Sequence, residues 1–205
     1  MISDIGRKLF ATPLSRLVPW VQATGITPNG LTILGFVLTA IAAYLLATGR
    51  FFSGGIVLLV GAFFDMMDGH LARATNQASV FGAFLDSVLD RYSESVILIA
   101  LTYYYAHAGR GLEVVLLAAT MVGSLMVSYT RARAEALNIE CKVGILQRPE
   151  RVILLVVALI TGWVTPVLWM LGILTNVTAV QRIVEVYQRT HQSDSSTRNV
   201  VATDE

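Results

Sequence analysis

The chain has 205 residues, of which 55% are hydrophobic and 14% are charged, with a net charge of +1 and a mean hydropathy of +0.64. Soluble domains carry about 25% charged residues, so this composition argues against an ordinary soluble domain and favours a membrane protein. A single cysteine, Cys141, excludes an intrachain disulfide. No nucleic acid is expected as a partner.

The first 26 residues predict an amphipathic helix that lies on the membrane surface before the first span. Charged side chains stand partly opposite its apolar face, and Pro13 and Pro19 would bend or break the helix. The apolar face consists of Ile5, Leu9, Leu14, Leu17, Val18 and Val21. An irregular arm is the alternative. The segment lacks the long apolar core and the small-residue cleavage site of a signal peptide.

After this segment, apolar stretches alternate with short polar turns, and a membrane span needs about 20 mostly apolar residues. The fifth stretch is short, and the turn at Thr165-Pro166 could shift its end. The pattern indicates an all-α polytopic membrane protein whose transmembrane domain covers residues 27–189, followed by a polar, disordered tail at 190–205. The six predicted spans are about 30–48, 53–74, 81–106, 112–134, 149–164 and 166–187.

The basic residues lie mostly on one side of the predicted bundle. Arg50 and Arg110 lie on the other side, and Arg91 is inside the third span. The positive-inside rule therefore places both termini and the Arg73 turn on the cytoplasmic side of the cell membrane. The remaining basic residues are Arg7, Lys8, Arg16, Arg73, Arg131, Arg133, Lys142, Arg148, Arg151, Arg182, Arg189 and Arg198.

Four aspartates interrupt the apolar sequence on the same side. Asp65 and Asp68 are three residues apart, and Asp86 and Asp90 are four apart, so each pair shares one face of a helix. Ionised carboxylates are unfavourable in a membrane and normally mark a functional site. Four that converge need a compensating charge, and hard cations such as Mg²⁺ or Mn²⁺ prefer oxygen ligands. The spacing predicts a divalent metal site between two helices.

Small residues accompany both acidic pairs, since Gly61 and Ala72 share the first stripe and Gly82 begins the second. They predict that the two helices approach closely. No cysteine or histidine lies on either stripe, which argues against zinc. The alternative is that the aspartates cap helix ends or pair with Arg73 and Arg91.

The aspartates belong to a longer pattern, D-x-x-D-G-x-x-A-R-x(8)-G-x-x-x-D-x-x-x-D, over residues 65–90. The pattern resembles the signature of the CDP-alcohol phosphotransferase family. That resemblance implies a membrane enzyme that transfers a phosphatidyl-type group from a CDP-linked lipid to an alcohol and releases CMP. The eight fixed positions are Asp65, Asp68, Gly69, Ala72, Arg73, Gly82, Asp86 and Asp90.

The resemblance also implies roles for the aspartates. Asp65, Asp68 and Asp86 would be the main metal ligands, for two Mg²⁺ ions or for Mn²⁺. Asp90 would be the general base for the alcohol hydroxyl and would also be close enough to bind metal. Whether Asp90 can serve both roles stays open.

Residues on either side of the first acidic pair are implied to hold the CDP-diacylglycerol. Asn29 and Thr32 also fit an ordinary helix start, and Arg73 also fits a cytoplasmic membrane anchor. Gly69 would let the nucleotide approach the backbone, and the Arg73 guanidinium would meet phosphate. The implied donor-binding residues are Asn29, Gly30, Leu31, Thr32, Gly69, Arg73 and Ser79.

Basic residues gather between the fourth and fifth spans, which favours a phosphorylated acceptor. The segments S-Y-x-x-A-R-A-E from Ser128 and V-G-I-x-x-R-x-E-R from Val143 resemble the bacterial phosphatidylinositol phosphate synthases. The implied acceptor is myo-inositol 1-phosphate, also numbered 3-phosphate. Arg131 stands where that resemblance would place a lysine. The implied acceptor residues are Ser128, Arg131, Arg148, Arg151 and Arg182.

Three alternatives stay open at this point. Cytoplasmic loops are basic in most membrane proteins, so the basic residues need not bind an acceptor. A related transferase could use glycerol 3-phosphate instead. Intramembrane carboxylates also occur in metal-ion transporters, although the Gly-x-x-Ala-Arg context of this pattern is not explained by transport. The family resemblance further implies a homodimer.

Overall fold

A computed structural model describes residues 21–201 except 23 and 142, and it describes side chains only as far as 191. Within that part of the chain the structure is all-helical, which confirms the predicted class. The predicted N-terminal amphipathic helix lies almost entirely outside the described residues. The helices are α1 (Pro28–Ala47), α2 (Phe51–Ala74), α3 (Val80–His107), α4 (Gly111–Ala136), α5 (Arg148–Thr161) and α6 (Val164–Val201).

Four of these helices are long and apolar enough to cross a membrane: α1, α2, α4 and the Val164–His191 part of α6. The other two differ for separate reasons. Helix α3 has 28 residues, but Asp90, Arg91 and Glu94 place three charges within one turn or so of each other. Helix α5 has only 14 residues, fewer than the roughly 20 that a span needs. The chain is a multi-pass membrane protein.

Capping residues fix the starts of α1 and α3. The Thr27 hydroxyl accepts a hydrogen bond from the Gly30 backbone N–H at 3.1 Å, and Pro28 occupies the first turn. The Ser79 hydroxyl accepts one from the Gly82 N–H at 3.0 Å. These two helix starts lie against each other, because a Cβ atom added at Gly82 would stand 2.9 Å from Asn29 Oδ1.

Helix α1 packs against both acidic helices, α2 and α3. A Cβ atom at Gly61 would lie 3.2 Å from the Gly35 carbonyl oxygen, and one at Gly35 would lie 3.3 Å from that of Gly61. The glycines of the acidic stripes therefore allow α1 to pack closely against α2 and α3. The sequence predicted that these glycines bring α2 and α3 directly together. That prediction was wrong, because the helix that packs on them is α1. Sequence spacing fixes a helix face but not the helix that covers it.

The break between the last two helices comes earlier in the sequence than predicted. Gly162 ends α5 with a φ of 81°, a left-handed conformation that glycine adopts without strain. Helix α6 then begins at Val164, so Thr165 and Pro166 lie in its first turn, where proline is tolerated. The helix runs to Val201, beyond the predicted end at 187 and into the tail predicted as disordered, since no glycine or proline follows Gly172 to interrupt it.

A polar clamp closes the end of the bundle remote from the aspartates. Glu113, 2% exposed, accepts hydrogen bonds from Arg110 and, at 2.9 Å, from the Thr165 hydroxyl. The hydrogen bond to Glu113 raises the pKa of Arg110 above its ordinary value. The clamp ties the turn before α4 to the first turn of α6.

Candidate active site

Three of the four aspartates converge. Asp65 and Asp68 on α2 and Asp86 on α3 each offer a carboxylate oxygen, and these atoms lie within 4.8 Å of one another. Asp68 is buried and accepts a hydrogen bond from Thr32 Oγ1 on α1 at 2.5 Å. A set of clustered oxygen donors with this charge suits a hard divalent cation. The residues therefore fit the metal site that the sequence predicts.

The fourth carboxylate is joined to the cluster through an arginine. Arg148 Nη1, at the start of α5, lies 2.8 Å from Asp65 Oδ2 and 2.6 Å from Asp90 Oδ1. The first contact is an aligned hydrogen bond. The second is an ion contact only, because Asp90 Oδ1 accepts no hydrogen bond from the described residues. One guanidinium nitrogen thus connects α2, α3 and α5.

The charge balance of this cluster favours added positive charge. Asp65, Asp68 and Asp86 repel one another and lie in partly or fully buried positions, where an ionised carboxylate is poorly solvated. Arg148 offsets part of that charge through its contact with Asp65. A divalent cation among the three aspartates would offset the rest.

A cavity of about 210 Å³ opens on the Asp68 and Asp86 side of the cluster. Gly69 leaves room there, because a Cβ atom at that position would lie 3.6 Å from Arg73 Nη1. Arg73 is exposed and lines this cavity together with Asp68 and Asp86. The cavity is lined by five of the seven predicted donor-binding residues, which are Asn29, Thr32, Gly69, Arg73 and Ser79.

The other two predicted donor-binding residues are placed differently. Leu31 is fully buried and packs with Met67 and Leu71. The Gly30 N–H is bonded to the Thr27 cap. Neither residue lines the cavity, so both support the start of α1 in this structure.

A second cavity of about 270 Å³ lies on the Asp65 side. Asp65, Glu94, Arg148 and Arg151 line its charged end. The rest of the lining is mostly apolar side chains of α2, α3, α5 and α6, with the hydroxyl groups of Thr39, Ser93 and Thr120. The aspartate cluster therefore stands between two cavities, with Asp65 on one wall and Asp68 and Asp86 on the other. A reaction between two separately bound molecules needs this kind of arrangement.

Arg151 is held by a carboxylate that the sequence analysis did not select. Its Nε lies 2.6 Å from Glu94 Oε1 and its Nη2 lies 2.8 Å from Glu94 Oε2. Glu94 also accepts a hydrogen bond from Ser124 at 2.8 Å. Glu94 continues the spacing of four that begins with Asp86 and Asp90, and this repeat is the signal that could have identified it.

Arg182 is also engaged within the protein. It is 3% exposed and donates hydrogen bonds to the Val143 carbonyl at 2.9 Å and to the Val127 carbonyl. These bonds hold the segment that leads into Arg148 against α4 and α6. Ser128 is half-buried, and Arg131 is exposed and paired with Glu135 at 2.8 Å. Of the five predicted acceptor residues, the second cavity contacts only Arg148 and Arg151.

Together these features define an integral membrane protein with a carboxylate cluster that fits a metal ion and lies between two cavities. The chain belongs to the CDP-alcohol phosphatidyltransferase family, whose family model matches residues 25–182. The family predicted from the aspartate pattern is therefore confirmed.

Similar proteins carry more specific names. An archaetidylinositol phosphate synthase of Pyrococcus horikoshii is 41% identical over 193 residues, covering 92% of this chain and 98% of that protein. A phosphatidylinositol phosphate synthase of Mycobacteroides abscessus is 35% identical over 189 residues, covering 91% and 86%.

Solved structures agree with these sequence matches. The crystal structure of Mycobacterium tuberculosis phosphatidylinositol phosphate synthase with CDP-DAG bound has a TM-score of 0.79 and 29% identity, and the match covers 85% of this chain and 93% of that one. The same enzyme in complex with manganese and citrate also has a TM-score of 0.79, with 30% identity.

Proposed function

We propose that this protein transfers the phosphatidyl group of CDP-diacylglycerol to myo-inositol phosphate, giving phosphatidylinositol phosphate and CMP. The observation that carries the proposal is the carboxylate cluster between two cavities, one beside Arg73 and the other beside Arg148. The names of the similar proteins support inositol phosphate as the acceptor, and the CDP-DAG-bound relative supports the donor. Family membership argues against the metal-ion transporter alternative.

The donor's CDP end would occupy the cavity that contains Asn29, Thr32 and Ser79. The Arg73 guanidinium would bind its pyrophosphate, since a planar fork of N–H donors matches phosphate oxygens. Thr32 belongs to this cavity and also donates to Asp68, so it links the donor cavity to the metal site.

The acceptor's phosphate would bind Arg148, which lines the second cavity and is 27% exposed at its side chain. Arg151 and Arg182 would act by positioning, because their guanidinium groups already bond to Glu94 and to backbone carbonyls. Ser128 and Arg131 stay predictions from the family resemblance.

The chemical step would be an attack by an acceptor hydroxyl oxygen on the phosphorus of the phosphatidyl group. A new oxygen–phosphorus bond forms, the bond from that phosphorus to the bridging oxygen of CMP breaks, and Asp90 takes the hydroxyl proton. A divalent ion held by Asp65, Asp68 and Asp86 would supply charge stabilisation for the pyrophosphate oxygens and the leaving CMP. We propose Mg²⁺ in the cell, with two ions per site.

We further propose the finer membrane arrangement that the charges favour. All six described helices would cross or enter the bilayer, with the N-terminal segment of residues 1–26 on its surface. Both termini and the aspartates would face the cytoplasm, because Arg50 and Arg110 lie at the turns of the opposite end. A homodimer is proposed from the family alone.

The test is CMP release from CDP-diacylglycerol by the purified protein, with product analysis for several acceptors. Inositol phosphate should support rapid release and give phosphatidylinositol phosphate, whereas free inositol should be a poor acceptor. Equal or faster reaction with glycerol 3-phosphate would reject the acceptor assignment and leave the family activity in place. No CMP release with any alcohol would reject the transferase function itself.

A further inference from the structure

One guanidinium serves two carboxylates with different proposed roles. Arg148 Nη1 contacts both Asp65 Oδ2 and Asp90 Oδ1, whose side chains are 22% and 14% exposed. Because this group of charges is largely shielded from water, its members interact more strongly than an exposed ion pair would. A change in the position of Arg148 therefore alters the charge around Asp65 and Asp90 together.

The same guanidinium has donor capacity left over. An arginine offers five N–H donors, and the carboxylates engage Nη1 alone among its described hydrogen bonds. Its Nε is buried and has no partner among the described residues. A buried donor without a partner is unfavourable, and the adjoining cavity of about 270 Å³ is large enough to admit a ligand oxygen.

Neighbouring contacts fix the position of the backbone that leads into Arg148. Leu146 N–H donates to Thr178 Oγ1 at 3.3 Å, and the Leu146 carbonyl accepts from Arg151 Nη1 at 3.3 Å. Glu94 holds Arg151 in turn. The backbone before Arg148 is thus anchored to α5 and α6, so freedom remains mainly in the Arg148 side chain.

We propose that Arg148 is a specificity-determining residue whose guanidinium is shared between Asp65 and Asp90 on one side and the acceptor's phosphate on the other. A phosphorylated acceptor would draw the guanidinium away from the two carboxylates, and an unphosphorylated alcohol would leave it there. The acceptor half of this inference rests on the proposed function. The carboxylate half is independent of the proposed function. It predicts only that Arg148 opposes cation binding at Asp65.

The first experiment measures Mn²⁺ affinity without substrates, by electron paramagnetic resonance on purified protein. Arg148→Gln should bind Mn²⁺ at least about threefold more tightly than wild type, because a cation next to the shared ligand Asp65 has been removed. Arg148→Lys keeps the charge and should stay closer to wild type. Arg189→Gln, which removes an exposed cation paired with Glu185, should bind Mn²⁺ as wild type does. Unchanged or weaker Mn²⁺ binding by Arg148→Gln overturns the shared-guanidinium inference.

The second experiment compares kcat/KM for inositol phosphate and free inositol. In Arg148→Gln the value for inositol phosphate should fall by at least about tenfold, the scale of one lost charge-assisted contact. The value for free inositol should fall much less, because only the phosphorylated acceptor loses a contact with its phosphate, so the preference for the phosphorylated acceptor collapses. A parallel loss for both acceptors indicates a merely structural role and overturns the acceptor half. If wild type itself fails to use inositol phosphate, the proposed function fails, while the Mn²⁺ measurement still decides the carboxylate half.

Discussion

Glu94 and Arg151 form a two-bond ion pair between α3 and α5, with both side chains largely buried at 12% and 3% exposure. The pair lies one helical turn beyond Asp90 and borders the same cavity as Arg148. Its bonds join α3 to α5, and the Glu94–Ser124 bond adds α4. Glu94, which does not belong to the family pattern, therefore stabilises the packing of α3, α4 and α5 beside Arg148.

Breaking this pair should destabilise the protein strongly. Arg151→Ala leaves Glu94 buried without its cation, which costs about 3–5 kcal/mol in comparable buried pairs. Arg131→Ala is the matched control, because its i,i+4 pair with Glu135 is exposed and should contribute only about 0.3–0.5 kcal/mol. The measurement is the free energy of unfolding in detergent. Equal losses in the two variants would contradict the structural role of the buried pair.

Arg151→Ala should also affect the acceptor more than the donor. The KM for inositol phosphate is expected to rise, because the segment before Arg148 loses its bond to Arg151 Nη1. The KM for CDP-diacylglycerol should change little, since the donor cavity lies on the other side of the aspartates and does not include Arg151. Steady-state kinetics with each substrate varied in turn would check this, and an equal rise in both KM values would contradict it.

Loss of metal should abolish turnover. A chelator is expected to stop CMP release, and added Mg²⁺ or Mn²⁺ should restore it, because Asp65, Asp68 and Asp86 otherwise repel the donor's pyrophosphate. Asp68→Asn and Asp86→Asn should each remove most activity while the protein stays in the membrane. Full activity in metal-free protein would contradict the proposed mechanism.

Asp90 can be tested separately from the other aspartates, since it lies outside their 4.8 Å group. Asp90→Asn should reduce turnover far more than it weakens CDP-diacylglycerol binding, because an amide cannot take the hydroxyl proton. Binding of a labelled donor is measured beside the rate of CMP release. A parallel fall in both would identify Asp90 as chiefly a metal ligand.

The glycine contact beneath the site should tolerate no side chain. In Gly61→Ala the new Cβ would stand 3.2 Å from both the Gly35 carbonyl oxygen and Thr39 Oγ1. This contact is tight enough that α1 has to shift slightly from α2, which should cost about 1–3 kcal/mol. Gly111→Ala is the control, because a Cβ there meets nothing within 4 Å. The two variants are compared by unfolding and by activity. Unchanged stability in Gly61→Ala would show that α1 can yield at this contact.

The parts of the site that rest on local spacing were predictable from the sequence. Asp65 and Asp68 share a helix face through a fixed interval, and the hydrophobic stretches predict α1 to α4 within a few residues. Glu94 was missed although it continues the spacing of four from Asp86 and Asp90, because that spacing does not show that its partner is Arg151 on another helix. Arg182 was predicted as an acceptor residue, and its structural contacts could not be predicted, because its hydrogen bonds reach carbonyls 39 and 55 residues away along the chain.

The break between α5 and α6 shows a different limit. Gly162 and Pro166 are both helix-boundary signals, and they lie four residues apart. The structure resolves the choice because Gly162 takes a positive φ, after which Pro166 fits inside the next helix's first turn. Sequence alone does not say which of two adjacent signals is used.

Helix α5, with only 14 residues, begins well below the end of the neighbouring helix α2. Its first residue, Arg148, meets Asp65, and its last turn meets Gly55, so α5 runs beside only the part of α2 that precedes Asp65. The remaining turns of α2 rise about 13 Å past that carboxylate, at 1.5 Å per residue. Asp65 and Arg148 are therefore recessed below the end of α2. In the proposed reaction the lipid substrate would approach along the membrane, and the water-soluble alcohol would have to descend past the end of α2 to reach it.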